Sequence, residues 1–148
     1  MPARRDPSLI PLSHDHHHGL VRVFEIRRAL RSGGDPGAER ALTGEFYTSD
    51  LLPHFRAEEE ALVPALRESG ALSEALLARL LDEHRTLKSM GGELASGRGD
   101  LGAFADLLEK HIRFEERRVF VAYQARVPAQ RRAEVEAAVR RTRGASKR

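Results

Sequence analysis

Two six-residue stretches constrain this chain more than anything else in it. His54-Phe55-Arg56-Ala57-Glu58-Glu59 and His111-Ile112-Arg113-Phe114-Glu115-Glu116 lie 57 positions apart and read alike: histidine, apolar, arginine, any residue, two glutamates. Both fall in segments whose apolar residues recur at helical spacing. On a helix, residues four apart stand one turn apart on one face. Each stretch therefore sets an imidazole beside a carboxylate. Aimed into one bundle core, two such pairs offer nitrogen and oxygen ligands suited to hard or borderline divalent metals. The chain has no cysteine, so any metal must be held by His and carboxylate.

The remainder of the chain reads as the helices needed to bring these pairs together. Its 148 residues suit one domain with a real core. Ala, Leu, Arg and Glu dominate and favour helix. Pro2, Pro7 and Pro11 predict an extended arm over 1–12. The first helix starts at Ser13 or Asp15 as cap and runs to about Leu30, with Leu20, Val23, Phe24 and Leu30 near one face and Val21 and Ile26 flanking it. After the turn at Ser32–Gly37, a second helix spans about Ala38 to Glu68. Pro53 and Pro64 predict kinks or local irregularity within it rather than a break. Ser73 caps a third helix and Asp100 a fourth, which ends before Pro128. A shorter, basic fifth helix is expected over about 129–142. The spacing thus predicts an all-α fold, an up-down-up-down four-helix bundle over 13–125 with a short extra C-terminal helix in the basic segment 126–148.

Charge is uneven along the chain. Eight of the 25 Lys and Arg residues fall in 126–148, against two acids there, Glu134 and Glu136. The expectation is a solvated helix that frays into a polar end. A basic tail could meet an anionic partner, but no aromatic residue lies in 124–148 to stack on bases, which argues against nucleic acid. No run approaches the roughly 20 apolar residues of a membrane span. The first residues lack the apolar region of a secretory signal, so the expected location is cytoplasmic.

Spacing also tests whether the ligands meet at one level. The other candidate histidines are His84 and the cluster His14, His16, His17 and His18. Counted from the joining turns at 1.5 Å per residue, His16 and His54 agree within about 1.5 Å, and His84 and His111 within about 3 Å. His54 and His84 differ by about 7.5 Å, but moving one turn to Glu58 reduces this to about 1.5 Å. One histidine from every helix can occupy a single layer, with a glutamate one turn along on the second and fourth.

Four ordered segments, LSHDHHHGL, HFRAEEEALVP, DEHRTL and HIRFEERRVF, resemble the ligand segments of hemerythrin-like (HHE cation-binding) domains, over roughly residues 12–124. The resemblance implies a four-helix bundle with a non-haem di-iron centre, two Fe ions bridged by carboxylates, that reacts with O₂ or related small molecules. Carried onto this chain, the ligands are His16, His54, Glu58, His84, His111 and Glu115. His16 is chosen because both His16 and His84 follow an acid; His17 is the alternative, standing three before Leu20 as His84 stands three before Leu87. Oxygen-carrying hemerythrins place another His one turn after the third-helix ligand, where this chain has Lys88. They also place an acid five residues after the last His; here Glu115 stands at four and Glu116 at five.

Around these ligands, His14, His17 and His18 are expected at the surface. Glu59, Glu60, Glu116, Arg117 and Arg118 form a solvated face or orient the ligand imidazoles. Phe24, Phe55, Phe114 and Phe120 are expected in the core, and Tyr47 and Tyr123 are candidate donors to a bound oxygen species. The leading function is a di-iron protein that binds or senses O₂, NO or peroxide, or buffers iron. Zn or Mn fits the same ligands. The alternatives are a di-iron oxidase or peroxidase, and a helical adaptor acting through its basic tail.

Overall fold

The computed structural model describes residues 4–146, with side chains over 4–144. Among the described residues there is no strand, and the fold is all-α. Helix α1 is Ile10–Ser32 and α2 covers 36–69; α3 is Glu74–Ala95, α4 covers 101–126 and α5 is Ala129–Ser146. Helix α1 packs on α4 and α2 on α3, and α3 also meets α4. No helix is long and apolar enough to cross a membrane among the described residues.

The helix boundaries follow from local chemistry. Asp35, Ser73 and Asp100 cap α2, α3 and α4, their side chains accepting from the N–H of Gly37, Leu76 and Ala103 at 2.9, 3.2 and 3.0 Å. Gly33 and Gly70 end α1 and α2 in the left-handed conformation, with φ of 73° and 66°, which a glycine adopts without strain.

Three wide π turns interrupt the long helices, at Tyr47–Leu51, Glu58–Leu62 and Glu115–Val119. Each is closed by an N–H reaching back five residues, from Leu52 to Tyr47, Val63 to Glu58 and Phe120 to Glu115. Pro53 and Pro64 each stand two residues past the end of a π turn. A proline ring clashes with the carbonyl four residues back in a regular helix, and the wider turn moves that carbonyl aside. The irregularity predicted around Pro53 takes this form, and α2 continues through both prolines.

The core has two apolar parts. Leu9, Leu12, Leu62, Leu66, Leu77, Leu80, Phe120, Tyr123, Val135 and Val139 form one. Val23, Ile26, Phe55, Leu87, Leu94, Phe104 and Leu108 belong to the other. On each of α1 to α4, the candidate ligands fall in sequence at the junction between the two.

Four expectations are corrected. The arm does not stay extended to residue 12: α1 begins at Ile10, with Pro11 in its first turn where a missing N–H costs nothing, and Leu9 and Leu12 are fully buried. Neither Ser13 nor Asp15 caps it, both lying inside the helix. The buried stripe of α1 runs Leu12, His16, Gly19, Val23, Ile26, a strict helical spacing that leaves Val21, Phe24 and Leu30 off the stripe; Phe24 is 58% exposed. Finally, α5 is longer than expected and docks one face, burying Val135 and Val139 completely, while Arg131 and Arg132 pair with Glu68 and Asp6 at 2.9 and 2.8 Å.

Candidate metal centre

At the junction of the two apolar parts, His16, His54, His84 and His111 turn their Nε2 atoms toward Glu58 and Glu115. All six side chains are buried, and the two carboxylates have no exposure at all. His84 Nε2 lies 3.0 Å from Glu58 Oε1, and His54 Nε2 lies 3.3 Å from Glu58 Oε2. Glu115 is divided in the same way: its Oε1 is 2.7 Å from His16 Nε2, and its Oε2 is 3.4 Å from His111 Nε2. Each carboxylate thus faces one histidine pair with one oxygen and the other pair with its second. Two groups result, His16/His54/Glu58/Glu115 and His84/His111/Glu58/Glu115, the ligand atoms of each lying within 4.8 Å of one another. We call them the first and second positions.

Six polar atoms in this layer are buried with no aligned hydrogen-bond partner: Nε2 of His54, His84 and His111, both oxygens of Glu58, and Oε2 of Glu115. Buried donors and acceptors in folded proteins are ordinarily paired, and each orphan costs on the order of 1–3 kcal/mol. Six converging on one small volume fit a cation that accepts their lone pairs. Imidazole nitrogen and carboxylate oxygen together suit iron, zinc or manganese.

The outer nitrogens are equally organised. His54 Nδ1 donates to Asp15 at 3.0 Å, His84 Nδ1 to Glu59 at 2.7 Å, His111 Nδ1 to Glu83 at 2.7 Å and His16 Nδ1 to Glu116 at 2.6 Å. The donations form a closed ring. An acid on α1 holds the imidazole of α2, α2 holds that of α3, α3 that of α4, and α4 that of α1. Such partners fix the tautomer, leaving Nε2 free as a ligand, and raise its basicity. Phe120 stacks on His16 with ring centroids 5.3 Å apart, and Phe55 tilts over His84 at 4.2 Å, so apolar faces lock the rings from the side.

The model of the hemerythrin HHE cation binding domain matches residues 8–123. The chain belongs to this family. No curated protein and no solved structure matches it.

Within this hemerythrin HHE domain, charge follows the ring. Burial pushes the four imidazoles down, but the facing carboxylates outweigh it: His54 and His84 end well above the usual histidine value, His16 is raised, and His111 reaches about 8. Burial raises Glu115, yet the His111 charge and the surrounding imidazoles hold it well below the usual range. Burial also opposes ionisation of Asp15 and Glu116, but His54 and Arg143, and His16 and Ser13, bring them to about 2. The bond from His84, against burial and with help from Lys88, brings Glu59 to about 2.

The neighbouring histidines stand apart from this layer. His17 is exposed, as are His14 and His18. His14 and His18 line a pocket of about 180 Å³ with Asp50 and Arg143 that reaches Asp15 and His54. The Tyr123 hydroxyl pairs with Ser8 at 2.9 Å, and Tyr47 packs its ring on Gly91.

Sequence reasoning named Glu59 and Glu116 as possible orienting partners but missed Asp15 and Glu83. Their signal was available. An acid precedes the histidine on α1 and α3, and an acid follows the core glutamate on α2 and α4. One residue away from a core position, such a side chain points sideways toward the adjacent helix.

Proposed function

We propose that this chain is a non-haem di-iron protein that binds or senses O₂, NO or peroxide, or buffers iron. His16 and His54 would hold one iron and His84 and His111 the other, with Glu58 and Glu115 bridging. The carrying observation is the convergence of six unpartnered buried polar atoms between two carboxylates that each face both histidine pairs. Bound iron would supply redox chemistry and open coordination toward a small oxygen or nitrogen-oxide ligand. The chain's own part is to hold the imidazoles through their Nδ1 atoms and keep bulk water out with Phe55 and Phe120. Zinc or manganese suits the same donors, so availability decides among them.

Helix α5 commits three of its arginines inside the fold, which weighs against the adaptor reading. Its Arg131, Arg132 and Arg143 are paired with Glu68, Asp6 and Asp15 rather than displayed for a partner. The test is anaerobic loading with ferrous iron, metal analysis, then exposure to air or NO. About two irons per chain, new near-ultraviolet bands on exposure and loss of iron in Glu58→Ala are expected. No retained iron, or equal retention by Glu58→Ala, overturns the proposal.

A further inference from the structure

The two halves of this centre are braced from different parts of the chain. Each outer carboxylate is also paired with a cation. In the second position both cations come from α3: Arg79 lies 3.1 Å from Glu83, and Lys88 lies 2.9 Å from Glu59. In the first position both come from outside the four-helix bundle. Arg143 of α5 grips Asp15 with two bonds, Nη2 to Oδ1 at 2.8 Å and Nε to Oδ2 at 3.0 Å, while the same Oδ2 receives His54 Nδ1. Arg5, before α1, reaches Glu116 Oε1 at 3.0 Å and the Glu116 carbonyl at 2.7 Å, while Oε2 of that carboxylate receives His16 Nδ1. The two terminal segments are also tied to each other, Arg132 of α5 bonding Asp6 at 2.8 Å.

We infer that the docked segments flanking the bundle, residues 4–9 and α5, control the first metal position selectively, with Arg143 and Arg5 as positioning residues for His54 and His16, while the second position is self-sufficient within the bundle. The inference rests on the metal-binding reading above. Physically, a carboxylate whose two oxygens are shared between an imidazole and a guanidinium cannot swing away from either. Remove the guanidinium and the imidazole keeps its partner but loses the fixed angle. Anything that lifts α5 would release the Asp15 brace directly, whereas the Arg5 segment stays tied to α4 through Gln124 and loses only its Asp6 bond to Arg132. Two positions of equal donor chemistry then differ in how firmly their donors are held, and the first becomes the one that empties.

The test titrates full-length protein with Co(II), following calorimetry, visible absorption and the imidazole resonances of the four ligand histidines. Wild type should take up about two equivalents. Arg143→Ala and Arg5→Ala should each weaken one step by about tenfold, the lower end for outer partners of ligands, and the shifted resonances should be those of His16 and His54. Arg79→Ala and Lys88→Ala should weaken the step that shifts His84 and His111. Coupling is reciprocal, so filling the first position should slow amide exchange along α5, a readout independent of the variants. Wild type taking two equivalents while Arg143→Ala changes neither step, or both alike, would overturn the inference and leave the metal-binding reading standing. So would unchanged exchange in α5. Wild type taking up no cobalt would overturn both.

Discussion

Lys88 sets its ammonium 2.9 Å from Glu59, the carboxylate that receives His84 Nδ1 at 2.7 Å. The residue that replaces an extra histidine in the resemblance therefore stands behind the carboxylate that orients a core imidazole. Glu59→Ala should reduce zinc affinity at the second position about 10–100-fold, and Lys88→Ala by less, since Glu59 would still hold His84. Calorimetric titration of both variants checks the order.

Stability of the metal-free protein should depend on pH in a defined sense. The four core imidazoles have raised values, so the stabilisation from their protonated forms is fully present below their ordinary value and is lost as pH rises through the folded one. For His111, raised from 6.5 to about 8, the effect is on the order of 2 kcal/mol. Metal-free protein should melt at lower temperature at pH 9 than at pH 6, whereas metal affinity should rise over the same range as protons leave the ligands. Melting curves with and without metal distinguish the two trends.

Close helix packing gives a third expectation. A Cβ on Gly91 would collide with the Tyr47 ring, and one on Gly44 with the Ala95 backbone. Gly91→Ala should cost about 1–3 kcal/mol by overpacking. Phe24→Ser, at a side chain that is 58% exposed, should fall within about 0.5 kcal/mol of wild type. Denaturant unfolding of the two variants measures the contrast.

The docking of α5 predicts a penalty that a solvated tail would not show. Val139 is fully buried among residues of the first apolar part. Val139→Ala should destabilise by about 1–3 kcal/mol through lost burial and the cavity left behind, again read by unfolding.

Much of this was legible in the sequence because helical period and ligand chemistry agree. The caps Ser73 and Asp100, the continuity of α2 through Pro53, and the common level of His16, His54, Glu58, His84, His111 and Glu115 all follow from counting residues. Three things did not. Helix α1 carries more apolar residues than its stripe can bury, so Phe24 looked internal when only tertiary packing places the stripe through Val23 and Ile26. The docking of α5 depends on two valines in a strongly basic segment, too sparse a signal against so much charge. Asp15 and Glu83 stand visibly before a histidine in the sequence, but which neighbouring imidazole each one reaches is set by how the helices pack.

No helix supplies its own imidazole with the carboxylate that holds it. The leading hairpin, α1 with α2, carries His16, His54 and Glu58 but lacks Glu115 and Glu116; the trailing one, α3 with α4, carries His84, His111 and Glu115 but lacks Glu58 and Glu59. Neither fragment, however helical, completes either position. Retention of a cation would require the whole quartet to assemble, which would make ion retention a report on completed tertiary structure rather than on any local piece of it.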